Sequence, residues 1–344
     1  MLNSHRKLWG ALTLLAVFHG LIVFAGFFAP YGSAVQDRDV PFAPPTRVHF
    51  TDAQGKFRLR PFVYALKDDP ANPGGYVADA AQTYSVRFFV RGAPYKIAGI
   101  FEADAHLFGV EGDGRIFLMG TDGYGRDQFS RFLYGGQISL LAGLLAATLS
   151  AALGVVIGSL AGFYGGWIDD LLMRGSEIFL ALPWLYLLFA VRAALPLHIA
   201  EWQVFLLLVA VMGLIGWARP ARLIRGVVLS AKERKFVVAA RGFGASDAHL
   251  LFKHVLPQTY GVVLTQMALL IPQYVLAEVT LSFLGLGVGE PMASWGTLLA
   301  SLQQYYVLSS YWWMFLPALA LIPLFLGYYV TADALQERLK SVSL

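Results

Sequence analysis

The stretch Trp217–Gln258, WARPARLIRGVVLSAKERKFVVAARGFGASDAHLLFKHVLPQ, lies between two long apolar runs and collects the positive charge of the chain. It holds eight Lys/Arg (Arg219, Arg222, Arg225, Lys232, Arg234, Lys235, Arg241 and Lys253) against two acids, Glu233 and Asp247. Basic residues flanking apolar runs mark the cytoplasmic side of a membrane protein. Leu223, Val227, Val228, Ala231 and Val238 recur at helical spacing, which predicts one surface helix over Arg219–Arg241. Gly242 and Gly244 then break it. Ser246 is placed to N-cap a second, short helix opened by Asp247, whose carboxylate meets the positive end of the helix dipole. Lys253 and His254 fall in its last turn, and Pro257 is expected to stop it. A simple snorkelling anchor needs neither the hinge nor the second helix.

Composition agrees with the membrane class. The 344 residues are 57% hydrophobic and 14% charged, with a mean hydropathy of +0.58. A pI near 9.2 would suit nucleic acid, but the bases sit beside apolar runs, so topology explains them and no nucleic-acid partner is expected. The absence of cysteine removes disulfides, thiolate metal sites and cysteine nucleophiles.

Residues 8–29 are long enough to cross about 30 Å of hydrocarbon as a helix. Arg6 and Lys7 precede them and predict a cytoplasmic N-terminus. A cleaved signal peptide is the competing reading. The run exceeds the roughly 7–15 apolar residues of such peptides, and an uncleaved first span is expected. His19 in its middle is read as a helix-packing residue. A second span, Ile138–Tyr164, is rich in Gly, Ala and Ser, which lets helix backbones approach closely in lipid. A turn, GGWIDDLLMRGSE, leads to a third span at Ile178–Leu195, and a fourth covers Val204–Ala218. The fifth (Val262–Gly285) and sixth (Trp312–Val330) enclose a loop whose Trp295, Tyr305, Tyr306 and Tyr311 suit a membrane interface. Six spans from an inside N-terminus return the C-terminus inside. The same count puts the basic stretch inside, in independent agreement with its charge.

Residues 30–137 differ in character, with twelve basic and twelve acidic side chains. Alternating patterns predict short strands: VHF and FRLRPFVY around TDAQGK, YSVRFFVR and YKIAG around GAP, HLFGV and RIFLMG around EGDG. These read as a β-rich extracytoplasmic insertion, since long loops translocate largely regardless of charge.

Within the basic stretch, AARGFGASDAHLLFKHVLP resembles the Glu-Ala-Ala loop of ABC importer permeases, which reads E-A-A, three residues, G, nine residues, I-x-L-P. Ala239, Ala240, Gly244, Leu256 and Pro257 match in type and spacing. Val238 stands at the Glu position and His254 at the Ile position. MGTDGYGRDQFSRFLYGGQISL (119–140) is similar to GTDxxGRDxxSRxxYGxRxSL, with Gln137 where Arg is usual. AEVTLSFLGLGVGEPMASWGTLL (277–299) is similar to ESxLSFLGLGxxPPxxSWGxLL, with Glu290 in place of the first Pro, and DALQERL near the C-terminus resembles DALDPRL. Together these identify the second permease type of the dipeptide, oligopeptide and nickel importers, over almost everything from residue 119 onward plus the first span.

The resemblance implies the type I importer permease fold. That is an all-α integral membrane protein of six transmembrane helices, here with the β-rich insertion between helices 1 and 2. Expected divisions are 1–29 (tail and first helix), 30–118 (insertion) and 119–344 (core permease with five helices), with a cytoplasmic coupling loop at 219–259. It implies half of a heterodimeric pore in the bacterial inner membrane, driven by two cytoplasmic ATP-binding subunits and fed by an external solute-binding protein. Peptides are the implied substrates, with nickel or another small solute as the alternative. Ala239, Ala240, Gly244, Ala245, Ser246, Asp247, His254, Leu256 and Pro257 are the implied ATPase-coupling residues. The sequence holds no G-x-x-x-x-G-K-[ST], since the Gly55–Lys56 pair is followed by Phe57, so ATP is expected on partner chains and no cofactor on this one.

Glu278 is an acid well inside a predicted span, with Gln266 and Gln273 on the same helix. Both pore lining and structural support of the LSFLGLG segment remain open for it. Asp169 and Asp170 read as a solvated face, and Asp122, Arg126 and Asp127 as a structural network at the pore mouth. An ion-coupled secondary transporter would need intramembrane ionisable groups and commonly repeats. A membrane enzyme would need a convergent catalytic or metal cluster, and seven scattered His without ligand spacing do not make one. A membrane-anchored β domain would leave the helix–hinge–helix loop unexplained. No catalytic and no metal site is expected.

Overall fold

In the computed structural model, residues 2–52, 55–71, 74–97, 99–194 and 199–342 are described. Ala53 and Gln54 of the first predicted turn, Leu195 at the end of the third predicted span and Leu344 lie outside them. The chain opens with α1 (Leu2–Val23) and a short α2 (Ala25–Phe28). Four antiparallel strands follow in the order β1 (His49–Thr51), β2 (Phe57–Asp68), β3 (Tyr76–Ile97) and β4 (Phe101–Val110). The helical part begins with α3 (Gln128–Tyr164), the central rod. Next come α4 (Gly166–Ala181), α5 (Trp184–Ala193), α6 (Glu201–Gly216), α7 (Ala218–Lys232) and α8 (Lys235–Gly242). One turn of α9 (Asp247–His249) leads through a wide π turn (Leu250–Val255) and a 3₁₀ turn (Leu256–Thr259) into α10 (Tyr260–Phe283). Short α11 (Trp295–Leu299) and α12 (Tyr305–Ser310) precede α13 (Leu316–Val342).

Four helical rods are long and apolar enough to cross a membrane among the described residues. Two bent pairs reach that length together, α4 with α5 at 78° and α6 with α7 at 40°. The first bend has a local cause. Leu182 precedes Pro183 and is extended (φ −75°, ψ 130°), as pre-proline residues prefer.

The glycines of α3 set the packing. Gly154, Gly158 and Gly162 recur every four residues and form one groove. A Cβ at Gly158 would sit 2.4 Å from the Ala221 carbonyl oxygen, and Gly154 and Gly162 face Pro220 and Arg225/Val228. Close approach of α7 to α3 therefore rests on missing side chains. Gly143 meets α10 at Val275 in the same way. His19 behaves as a packing residue, its ring bridging the Leu15 carbonyl (2.8 Å) and the Tyr328 hydroxyl (2.9 Å) between α1 and α13.

Several sequence expectations change. GGWIDDLLMRGSE is not a turn but the body of α4; of its two adjacent acids Asp170 is exposed as expected, but Asp169 is drawn into an ion pair with Arg225. The single helix over Arg219–Arg241 is two, because Arg234 is extended (φ −67°, ψ 140°). In a continuous helix Val237, nine residues past Val228, would point to the opposite face. The break turns it into a small core with Ile224, Val228, Leu250 and Val255. Pro257 does not stop the helix either. The π turn before it closes through an i→i−5 bond from Leu256 N–H to the Leu251 carbonyl. Pro257 then opens a narrower turn, where its missing donor costs little, and the rod runs on to Phe283.

In the sheet, VHF and FRLRPFVY pair as β1 and β2. GAP is not a turn but lies inside β3, where a register shift between Arg91 and Tyr95 absorbs it. RIFLMG forms no strand. Its amides bond side chains instead, Ile116 N–H to the Tyr31 hydroxyl (2.9 Å) and Phe117 N–H to Thr46 Oγ1 (2.9 Å).

The two ends of the helical bundle differ. At one, Lys7 of α1 pairs with Glu337 of α13 at 3.7 Å, and Gly261 at the start of α10 lies under Leu339. The 219–259 segment is at this end. At the other, Tyr31 N–H reaches Ser130 in the first turn of α3, and the sheet sits there.

Candidate functional site

The loop at 235–258 is built by local rules. Helix α8 ends in a Schellman motif: Ala245 N–H bonds the Ala240 carbonyl (3.1 Å) and Gly244 N–H the Arg241 carbonyl (3.0 Å). Gly244 takes the left-handed conformation that closes this motif (φ +83°). Ser246 then caps α9, its Oγ accepting from His249 N–H at 3.3 Å, with Asp247 in the first turn. Beneath lies the core of Val237, Leu250, Leu251 and Val255, against which Ala240, Ala245 and Leu256 pack. Arg241 stacks over the Phe163 ring at 5.9 Å, and Arg234 bonds Gln258 at 3.0 Å.

What this frame presents outward is apolar and basic. Phe243 at the hinge is 93% exposed, and Phe252, Val238 and Phe236 are also exposed. Ala239, Ser246, Asp247 and Lys253 lie at the same surface. His254 is half-buried between Phe236 and His249, with ring centroids 6.0 and 5.4 Å away. Pro257 is half-buried as well. The exposed phenylalanines were not singled out from sequence. The signal was present, as Phe243 sits between two glycines that cannot cover it.

The polar residues of α10 do not converge. Gln266 is buried, whereas Gln273 is exposed beside a cleft of about 290 Å³ with Trp184, Met212 and Arg219. Glu278 is fully buried. Its Oε1 accepts from the Ser282 hydroxyl at 2.7 Å. Ser282 in turn accepts from Val288 N–H at 3.0 Å, which ties Glu278 to the fold of the LSFLGLG segment.

At the sheet end, the expected Asp122–Arg126–Asp127 network is re-formed with different members. Arg126 bridges Asp122 (2.7 Å) and Glu290 (2.9 Å), and buried Arg131 bonds the other Glu290 oxygen at 2.8 Å. Burial pushes the Glu290 carboxyl up, but Arg131 and Arg126 outweigh it and hold it below the usual glutamate range. Asp127 stands apart from these ion pairs. It caps α3, accepting from Ser130 N–H at 2.8 Å and from Ser130 Oγ at 2.5 Å. Burial pushes its carboxyl up to about 7 against those bonds, and the Asp122 charge adds to the rise. A raised folded-state value means stability that is full below the unfolded value of about 3.9 and is lost as pH rises through about 7. Asp127→Asn, which keeps the cap acceptor, should flatten the thermal-stability profile between about pH 4 and 7. An unchanged slope would show that another group titrates there. Gln137 donates to the Ile22 carbonyl at 3.0 Å, holding the end of α1.

Residues 154–341 match the family described as binding-protein-dependent transport system inner membrane component. The chain is 37% identical over 222 residues to the dipeptide transport system permease protein DppC of Bacillus subtilis (strain 168), covering 64% of this chain and 67% of that protein. It is 38% identical over 224 residues to the oligopeptide transport system permease protein OppC of the same organism, covering 64% and 70%. It is 36% identical over 247 residues to the glutathione transport system permease protein GsiD of Escherichia coli O6:K15:H31 (strain 536 / UPEC), covering 72% and 78%.

Proposed function

The chain belongs to the binding-protein-dependent transport system inner membrane component family, and on that premise we propose that it forms half of a heterodimeric import pore moved by cytoplasmic ATPases through the 239–257 loop. It is a non-catalytic permease subunit of an ABC importer, with the type I importer permease fold, and an inner membrane component. Its partners are ATP-binding subunits and a solute-binding protein. We propose two of the former, a second permease, and ATP bound on those partners rather than here. Di- and oligopeptides are the substrates favoured by the relatives' names, with nickel or another small solute as the second reading.

Counting each bent pair as one span gives six, and on that count we place residues 30–118 outside and both termini in the cytoplasm. The Lys7–Glu337 pair and the Gly261–Leu339 contact support one side for both termini and the coupling loop. The basic residues of that loop make this side the cytoplasm. We assign Glu278 to structural support of the pore wall, since it is buried within its own chain and bonded to Ser282. Gln273, beside the cleft, is the better pore-lining candidate, and Gln266 is a packing residue.

The observation that carries the coupling role is the exposed apolar edge, above all Phe243 at 93% exposure, on a loop whose backbone is internally closed. A surface aromatic on a rigid base is the form of an interface anchor. Phe243→Ala should leave the chain's own thermal stability unchanged. It should lower substrate-stimulated ATP hydrolysis and uptake at least ~10-fold in the reconstituted importer, the scale of losing one anchor. Gly244→Val should lower both activities and destabilise the loop, because a branched side chain resists φ +83°. Coupled activity that survives both changes would remove the loop from the mechanism. Uptake that persists without ATP would favour a secondary transporter.

A further inference from the structure

The sheet hangs over one edge of the helical bundle, and its β3–β4 hairpin points along the first span. The contacts of the hairpin descend towards its tip. Phe108 packs near Phe129, in the first turn of α3, with ring centroids 6.4 Å apart. His106, two residues nearer the tip, bonds the Ala29 carbonyl at 2.7 Å. Tyr95, nearer still, lies against Gly26 of α2. Passing from Ala29 to Gly26 follows the chain back towards α1. The tip beyond Tyr95 is therefore aimed at the depth where α1 exposes Phe24, Val23 and Leu21.

The tip is two-faced. In antiparallel pairing, directly opposed residues share a face. Tyr95 opposes Ala103 and Ile97 opposes Phe101, so these two pairs share one face of the tip. Lys96 opposes Glu102 on the other face, ion-paired at 3.7 Å. Tyr95 is buried by Gly26, but Phe101 is 68% exposed and Ile100, in the turn, 74%. Phe89 is likewise 73% exposed and touches Phe27, at the outer end of the first span. The exposed apolar side chains of the tip thus lie beside exposed apolar residues of α1.

We propose that the β3–β4 hairpin tip inserts Ile100 and Phe101 into the outer-leaflet interface beside the first span, so that the insertion is a membrane-resting domain. The inference rests on the outside placement of residues 30–118. Large apolar side chains on a balanced-charge support are what the headgroup–acyl boundary accepts. The occupant is lipid because the tip reaches the depth of the first apolar span, beside the exposed Leu21, Val23 and Phe24.

The chain has no cysteine, so a single one can be labelled. Ile100→Cys carrying an environment-sensitive fluorophore is compared in nanodiscs with Leu59→Cys on β2, which is 89% exposed. A blue shift and a loss of emission with shallow nitroxide-labelled phosphatidylcholine at position 100, and neither at 59, is the expected result. No quenching at 100, or a blue shift that requires added solute-binding protein, overturns the proposal. Leu59→Cys in intact cells, probed with a membrane-impermeant maleimide, tests the outside placement separately. If it is labelled while position 100 is not quenched, only the lipid contact is lost. If it is not labelled, the placement itself has failed.

Discussion

Gly158→Leu should prevent α7 from docking on α3 and abolish recovery of a folded chain, whereas Gly158→Ala should cost about 1–3 kcal/mol. A Cβ at Gly158 lies 2.4 Å from the Ala221 oxygen, and backbone cannot rotate away as a side-chain end can. The control is Gly226→Ala on α7, where a new Cβ meets nothing within 4 Å. There the gain in helix propensity, up to about 1 kcal/mol, should show as unchanged or slightly higher thermal stability. One chemical change thus carries opposite signs at two positions, read as melting temperatures in detergent. Equal effects at the two sites would mean that the α3 groove is not what holds α7. Because α7 and the small core around Val237 support the proposed coupling loop, Gly158→Ala should also reduce coupled ATP hydrolysis.

Arg131→Met should destabilise the sheet end of the bundle by about 2–3 kcal/mol, less than the roughly 3–5 of a fully buried pair. Arg131 is 2% exposed, but its partner Glu290 is 48% exposed and keeps some solvation. Removing the guanidinium leaves Asp122 and Glu290 sharing Arg126 alone and frees the Ser33 carbonyl. Glu290→Pro, the residue the permease pattern carries there, should cost less, since Asp122 remains 3.8 Å from Arg131. The double variant should fall short of the sum by at least ~0.5 kcal/mol, as groups in one network do. Strict additivity of the melting shifts would show that the two residues act separately.

Much was legible in the sequence because it was local. Gly242 and Gly244 announced a helix break and Ser246 an N-cap; Gly244 makes the break in the left-handed conformation while Gly242 stays in α8, and Ser246 forms the cap. Runs of apolar residues long enough to cross a membrane announced spans. The Gly/Ala/Ser face of α3 announced close packing, since only small residues allow it. What failed was also of one kind. Pro257 reads as a stop, yet a π turn from Leu250 accommodates it. GAP reads as a hairpin turn, yet β3 runs through it with a bulge. RIFLMG alternates like a strand, yet Tyr31 and Thr46 take its amides first.

The sequence by itself determined the class of this protein and the caps of its basic 219–259 loop, because charge asymmetry, apolar length and capping residues act within a few turns of chain. Only the tertiary structure decided the partners across the fold. Asp169 pairs with Arg225 over 56 positions and Arg131 with Glu290 over 159, and Glu278 is buried in its own chain. Such pairings depend on which helices meet and at what depth. That is set by where backbones can approach, a property of two surfaces together that neither segment carries alone.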